Sequence, residues 1–271
     1  MFITRLVSGC LLIAVTVGVL LTGGIPLFLI NLGIALIGLF ELYRVFGIEK
    51  DLLGITGYSM TVVYYLLLLL VPGTEFLFLL SCLLLWMVIY VLRFPRYEIK
   101  EIVLAYFGVL YVPVLFSCLY LVRQEPGGLF LAGLIFIGAW GCDTCAYCVG
   151  KLFGRHKLAP VLSPKKSVEG AVGGVAGAMV LGLLYAVLIV SDMPEMAGIV
   201  DWKWFCVLAS SLCAVFSQIG DLTASGIKRN YGVKDYGTLI PGHGGVLDRF
   251  DSILVAGAVM WGVCQYLLKY A

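Results

Sequence analysis

Apolar residues run along this chain in long stretches, broken by short polar or glycine and proline segments. The runs fall at about residues 6–22, 26–46, 52–71, 74–92, 101–122, 128–149, 171–190, 202–222 and 252–270, each near the ~20 residues that a helix needs to cross a bilayer. The pattern predicts an all-α, polytopic membrane helix bundle of about nine transmembrane helices. The first two runs meet at Thr22-Gly23-Gly24, and the third and fourth at the tight turn Val71-Pro72-Gly73-Thr74. No stretch suits a soluble domain. The chain divides into membrane helices over 1–125, about five of them, and a second set over 126–271 that carries two long polar loops, 150–170 and 223–251. Val7-Ser8-Gly9-Cys10 looks like a lipoprotein cleavage box but precedes the apolar run instead of ending it, so 6–22 reads as a retained helix.

Composition sharpens this picture. Of 271 residues 62% are hydrophobic and 13% charged, against roughly 25% charged in a soluble domain, and the mean hydropathy is +1.05. The 18 Lys and Arg nearly cancel 16 Asp and Glu, so net charge says little about partners and placement must carry the reading; no nucleic acid partner is expected. Nine crossings put all basic residues but Arg123, Lys203 and Lys269 on one side, which the positive-inside rule makes the cytoplasm. The expectation is a multi-pass protein of the inner (cytoplasmic) membrane with its N-terminus and both long polar loops in the cytoplasm. The nine cysteines fall in apolar runs and imply no disulfide framework. Cys142, Cys145 and Cys148 mimic part of an iron–sulfur spacing but lack a fourth nearby cysteine, and read as small residues of helix packing.

Three groups of residues carry candidate chemistry. Asp143 lies about 10 Å below the cytoplasmic end of its helix, where a carboxylate is costly unless paired, wetted or bound to metal. It serves either a site or a lysine on a neighbouring helix. In the 150–170 loop, Ser163-Pro164-Lys165-Lys166-Ser167-Val168-Glu169-Gly170 reads as a helix start with Ser163 as cap and Pro164 in the first turn. Two lysines at a helix N-terminus would make a phosphate cradle, whereas Lys151, Arg155 and Lys157 serve equally as headgroup anchors. Beyond them Gly170, Gly174, Ala178 and Gly182 form a small-residue stripe that lets another helix approach, within the protomer or across a homodimer. The third group runs from Gly220-Asp221 through Ser225–Asp251. Asp221, Asp248 and Asp251 flank the turn Pro241-Gly242-His243-Gly244-Gly245, whose backbone N–H groups suit anions, and Mg²⁺ is held by one or two carboxylates plus substrate phosphates.

Ser225-x-Ile-Lys228-Arg229-x4-Lys234-Asp235-x-Gly237-x2-Ile240-Pro241-x-His243-Gly244-Gly245-Val246-x-Asp248-Arg249-Phe250-Asp251 resembles the signature of the phosphatidate cytidylyltransferases, or CDP-diacylglycerol synthases. Asp143-Thr144-x-Ala146-Tyr147, the Ser163–Gly170 block and Gly220-Asp221-Leu222 look like the same family, so the likeness covers the C-terminal half; the N-terminal half shares only its apolar helices. One departure is Ala224, where many relatives have Glu.

The resemblance implies that CTP and phosphatidate give CDP-diacylglycerol and pyrophosphate at the lipid interface. It implies Asp221 and Asp248 as ligands of Mg²⁺, with a second cation left open, and Asp143, Asp235 and Asp251 in the same electrostatic cluster. Lys165, Lys166, Lys228, Arg229, Lys234 and Arg249 would contact phosphates, with Ser163, Ser167, Gly244 and Gly245 alongside. His243 would donate to phosphate or base, or hold the glycine turn in shape. The physics agrees: a phosphate monoester needs no strong base, and the obstacle is anion meeting anion, which cations offset. Two alternatives are a CTP-dependent polyprenol-type lipid kinase, which needs a general base that only Asp235 or His243 offers, and a membrane transporter, against which stands the clustering of charge on one face.

Overall fold

The computed structural model describes residues 2–189, 201–242 and 244–270. The protein is an all-α, multi-pass bundle. Its described helices are α1 (Phe2–Thr22), α2 (Gly24–Phe46), α3 (Leu52–Leu70) and α4 (Glu75–Leu92). They continue with α5 (Ile99–Gln124), α6 (Gly128–Phe153), α7 (Val168–Leu188), α8 (Trp202–Asn230) and α9 (Leu247–Tyr270). Each predicted apolar run has its helix. Among the described residues the seven from α2 to α8 are long and apolar enough to cross a membrane, and Val7–Thr22 of α1 is a shorter apolar segment.

The turns follow from local chemistry. Gly47, at φ 78°, closes α2 in the left-handed conformation that glycine adopts without strain, and the Asp51 carboxylate accepts from the Leu52 N–H at 2.8 Å to start α3. Both α5 and α6 contain a turn of π-helix, over Leu110–Val114 and Ile137–Gly141. The first holds Pro113, which has no N–H to donate.

α2, α3 and α5 pack around a polar seam in an otherwise apolar core. Tyr43 donates to the Ala105 carbonyl at 2.6 Å, Tyr65 to Asn31 at 2.5 Å, and Tyr64 shares a hydrogen with Ser117 at 2.9 Å. In the C-terminal half α7 packs chiefly on α6 and α8, and α8 on α9. The stripe Gly170, Gly174, Ala178 and Gly182 is buried, joined by Ala186. A Cβ added at Gly174 would stand 2.9 Å from Cys142 Sγ and 2.9 Å from the Ala146 Cβ, and one at Gly182 would collide with Ser210. The stripe therefore serves packing within the chain. Cys145 fits against Gly177, and all nine cysteines are free.

Two expectations need correction. Ser163–Ser167 is a strand, β2, paired antiparallel with β1 (Lys157–Ala159), and α7 begins only at Val168. Its cap is Ser167, whose hydroxyl accepts from the Gly170 N–H at 3.1 Å, so Ser163 and Pro164 stand on the strand before the helix. The hairpin wins because Glu169, on the first turn of α7, accepts from the N–H groups of Arg155 and His156 at 3.0 and 3.2 Å and meets His156 Nδ1 at 2.5 Å, which draws the two ends of the loop together. The loop expected over 223–251 is also shorter. α8 continues to Asn230 because Ala224 and Lys228 face the interior, leaving 231–246 as connection.

Candidate active site

The C-terminal ends of α6 and α8 and the N-terminal end of α9, with the hairpin and the 231–246 connection, bring the charged residues together. Asp143 sits two residues past the π turn of α6, Asp221 on α8, and Asp251 on the first turns of α9. The three carboxylates are close enough for their charges to act on one another. Lys166 faces inward from β2 and forms an ion pair with Asp221, whereas Lys165 is exposed.

Two cavities meet at this cluster. One, of about 380 Å³, is lined by Lys151, Lys165, Lys166, Ser167, Gln218, Asp143 and Asp221. The other, of about 600 Å³, is lined by Asp143, Thr144, Asp221, Lys228, Asp235, Asp248, Arg249, Asp251 and Ser252, and also by Gly9, Leu12 and Ile13 of α1. Asp143 and Asp221 line both. A polar cleft of about 500 Å³ follows along the connection, between Lys234, Asp235, Gly242, Gly244 and Arg249.

Asp248 is held differently from Asp221. Its Oδ1 accepts from Lys228 Nζ at 2.7 Å, and its Oδ2 from the N–H groups of Tyr236 and Gly245 at 2.8 and 3.0 Å. Its side chain is 2% exposed and that of Lys228 11%. Such a pair organises backbone as much as it offers charge. The Lys228 ammonium also lies 5.1 Å from the centre of the Tyr236 ring. Burial pushes the Tyr236 hydroxyl above the ordinary phenol range, and it donates to the Ala224 carbonyl at 3.0 Å. At the departure Ala224 the chain is fully buried under this tyrosine.

Of the other expected residues, Ser163 is half-buried on β2, Arg229 is exposed on the last turn of α8 outside the lining of the three cavities, and Gly245 is buried. Gly244 has φ 88°, and a Cβ there would approach Asp248 Oδ2 to 3.2 Å. His243 lies outside the described residues.

Four features escape a reading of the sequence. Glu41, about a turn and a half before the end of α2, accepts from the N–H groups of Val246 and Leu247 at 3.0 and 2.8 Å. Arg44, one turn later, donates to the Tyr236 carbonyl at 2.5 Å. Tyr111, in the π turn of α5, has a buried hydroxyl with no hydrogen-bond partner among the described residues, within electrostatic reach of Asp221 and Asp251. Residues of the apparent cleavage box help build the site: Gly9 lines the larger cavity, and Ser8 donates to the Pro241 carbonyl at 3.3 Å. Glu41 had a signal, since it is a carboxylate inside an apolar run like Asp143; the tyrosines had none.

Carboxylates and lysines that face shared cavities, one with an apolar wall, suit phosphates on a molecule that is partly lipid. The phosphatidate cytidylyltransferase of Staphylococcus saprophyticus is 38% identical over 164 residues, covering 60% of this chain and 59% of that protein. That of Staphylococcus haemolyticus is 37% identical over 167 residues and that of Staphylococcus aureus 37% over 164, with the same shares. The similarity thus spans about three fifths of these relatives' length. The model of the cytidylyltransferase family matches residues 3–267, nearly the whole chain, and the protein belongs to that family.

Proposed function

We propose that the protein transfers the cytidylyl group of CTP to phosphatidate. A phosphate oxygen of phosphatidate attacks the α-phosphorus of CTP, the bond from that phosphorus to the bridging oxygen breaks, and pyrophosphate leaves with the bond's electron pair. CDP-diacylglycerol remains. The observation that carries this reading is the position of Asp143 and Asp221 between a lysine-lined cavity and one walled by α1. Triphosphate charge suits the first, and a phosphate attached to acyl chains suits the second, whose wall of Gly9, Leu12 and Ile13 belongs to an apolar helix.

The donor set fits Mg²⁺. Among the described residues no three acidic, cysteine or histidine side chains form a ready-made metal cage; Mg²⁺ is commonly held by one or two carboxylates plus substrate phosphates. Asp221 would hold it, with Asp143 and Asp251 beside it. Asp248, expected from the resemblance as a second ligand, already has three donors on its carboxylate and contributes by fixing the glycine turn. When bound, Mg²⁺ neutralises charge on the triphosphate and leaving pyrophosphate. Lys166 lies on Asp221 and is positioned to contact the same phosphates; Lys165, Lys234 and Arg249 line the cavities beside it. Each contact accelerates the reaction to the extent that it strengthens in the transition state.

We place the protein in the inner membrane with its N-terminus and these cavities on the cytoplasmic side, following the bias of basic residues. The small-residue stripe is used within the chain, so a single protomer suffices for the proposal. The test is pyrophosphate release by purified protein in mixed micelles. It should require CTP, phosphatidate and Mg²⁺ together; release without phosphatidate, or none with all three, contradicts the reading.

A further inference from the structure

Glu41 is 3% exposed within α2, a helix that the resemblance did not reach. A carboxylate in such a place is expensive unless donors surround it. Its Oε1 and Oε2 accept from successive N–H groups, Val246 at 3.0 Å and Leu247 at 2.8 Å, at the start of α9. These are groups that a helix leaves without intrahelical partners, and its N-terminus favours negative charge. Glu41 thus caps α9 from another helix, about two hundred residues earlier in the chain.

The same side chain shapes the glycine turn. A Cβ on Gly245 would lie 2.6 Å from Glu41 Oε2, and one on Gly237 would collide with Glu41 Oε1. Both glycines are crowded by Glu41 and by each other's backbone, since a Cβ on Gly245 would also lie 2.6 Å from the Gly237 nitrogen. Arg44 holds the Tyr236 carbonyl of the same connection at 2.5 Å. Asp248 grips this connection from the other side, through Tyr236 and Gly245, and its charge repels Glu41. A design for stability alone would not set two buried carboxylates against one short turn.

We propose that Glu41 is a positioning residue of the active site: it holds the glycine turn and the first turn of α9 so that Arg249 and Asp251 face the cavity that Asp221 lines. The inference rests on the cytidylyltransferase reading. It gives the N-terminal helices a part in the reaction beyond anchoring.

The experiment compares wild type with Glu41→Gln and Glu41→Ala, each quantified as folded protein, for kcat, for KM of CTP and for amide exchange at Val246 and Leu247. Glutamine fills the same space and keeps one acceptor but turns an NH₂ toward the second N–H. The expected order of kcat is wild type, then Gln, then Ala, with Ala lower by roughly ten- to a hundred-fold, the cost of a displaced reacting group. The KM of CTP should change little, and exchange at the two amides should quicken in the same order. A role confined to stability would lower folded yield and leave kcat per folded molecule intact, and that result would overturn the proposal. Should Glu41→Ala not fold, Glu41→Gln decides by the same criterion. If wild type itself makes no CDP-diacylglycerol, the functional reading has failed separately, and Glu41 is still judged by exchange: unchanged rates at both amides in Glu41→Gln would overturn it.

Discussion

At the residue scale the two aspartates singled out for metal binding have different surroundings, and substitution should separate them. Asp221→Asn removes charge from a partly exposed pair with Lys166, so turnover should fall at least about a hundred-fold, the scale of losing one transition-state contact, with little change in thermal stability. Asp248→Asn leaves Lys228 buried against a neutral partner; breaking such a pair costs about 3–5 kcal/mol, so it should lower Tm as well as activity. Equal stability of the two variants would refute the distinction. Lys166→Ala should lower turnover far more than Lys157→Ala, since Lys157 is exposed on β1 and lines none of the three cavities. Kinetics with saturating lipid at matched protein level would check this, and equal small effects would make the hairpin a headgroup anchor. Asp143, Lys166 and Asp221 were each legible as candidates, but in three separate groups, and it was the family resemblance that drew Asp143 and Asp221 into one cluster. Tyr111 and Tyr236 were not legible, since what sets a tyrosine's part is the group its hydroxyl meets, and that depends on tertiary packing.

Between elements, the close approach of α7 to α6 and α8 depends on side chains that are absent. Gly174→Leu would drive a branched chain into Cys142 and Ala146 and should cost at least the ~1–3 kcal/mol of overpacking; folded yield in detergent is the measure, and wild-type yield would mean that these helices do not meet there. The stripe itself was plain in the sequence at intervals of four, though not whether it faced this chain or another. The hairpin was missed for a physical reason. Ser-Pro opens helices and strands alike, and the deciding contact is Glu169 reaching back to the backbone of Arg155 and His156. Ser167, the actual cap of α7, stands four residues beyond the expected one.

For the whole molecule, the runs of apolar residues were sufficient to place every described helix, because twenty apolar residues in lipid have few other options. How the two halves meet was not legible. Glu41 and Arg44 grip the 231–246 connection from α2, and α1 walls the larger cavity, joining segments far apart in sequence. Nine crossings with the N-terminus inside would put the C-terminus outside, so a C-terminal reporter active only in the cytoplasm should stay silent; strong signal would contradict that topology. The central claim is that the cytidylyl group, and not the terminal phosphate of CTP, passes to lipid. Purified protein given phosphatidate and Mg²⁺ with CTP labelled with ³²P at either the α or the γ position should carry α-label into the organic phase and leave γ-label in water as pyrophosphate. γ-label in the lipid, or neither label there, would contradict the account.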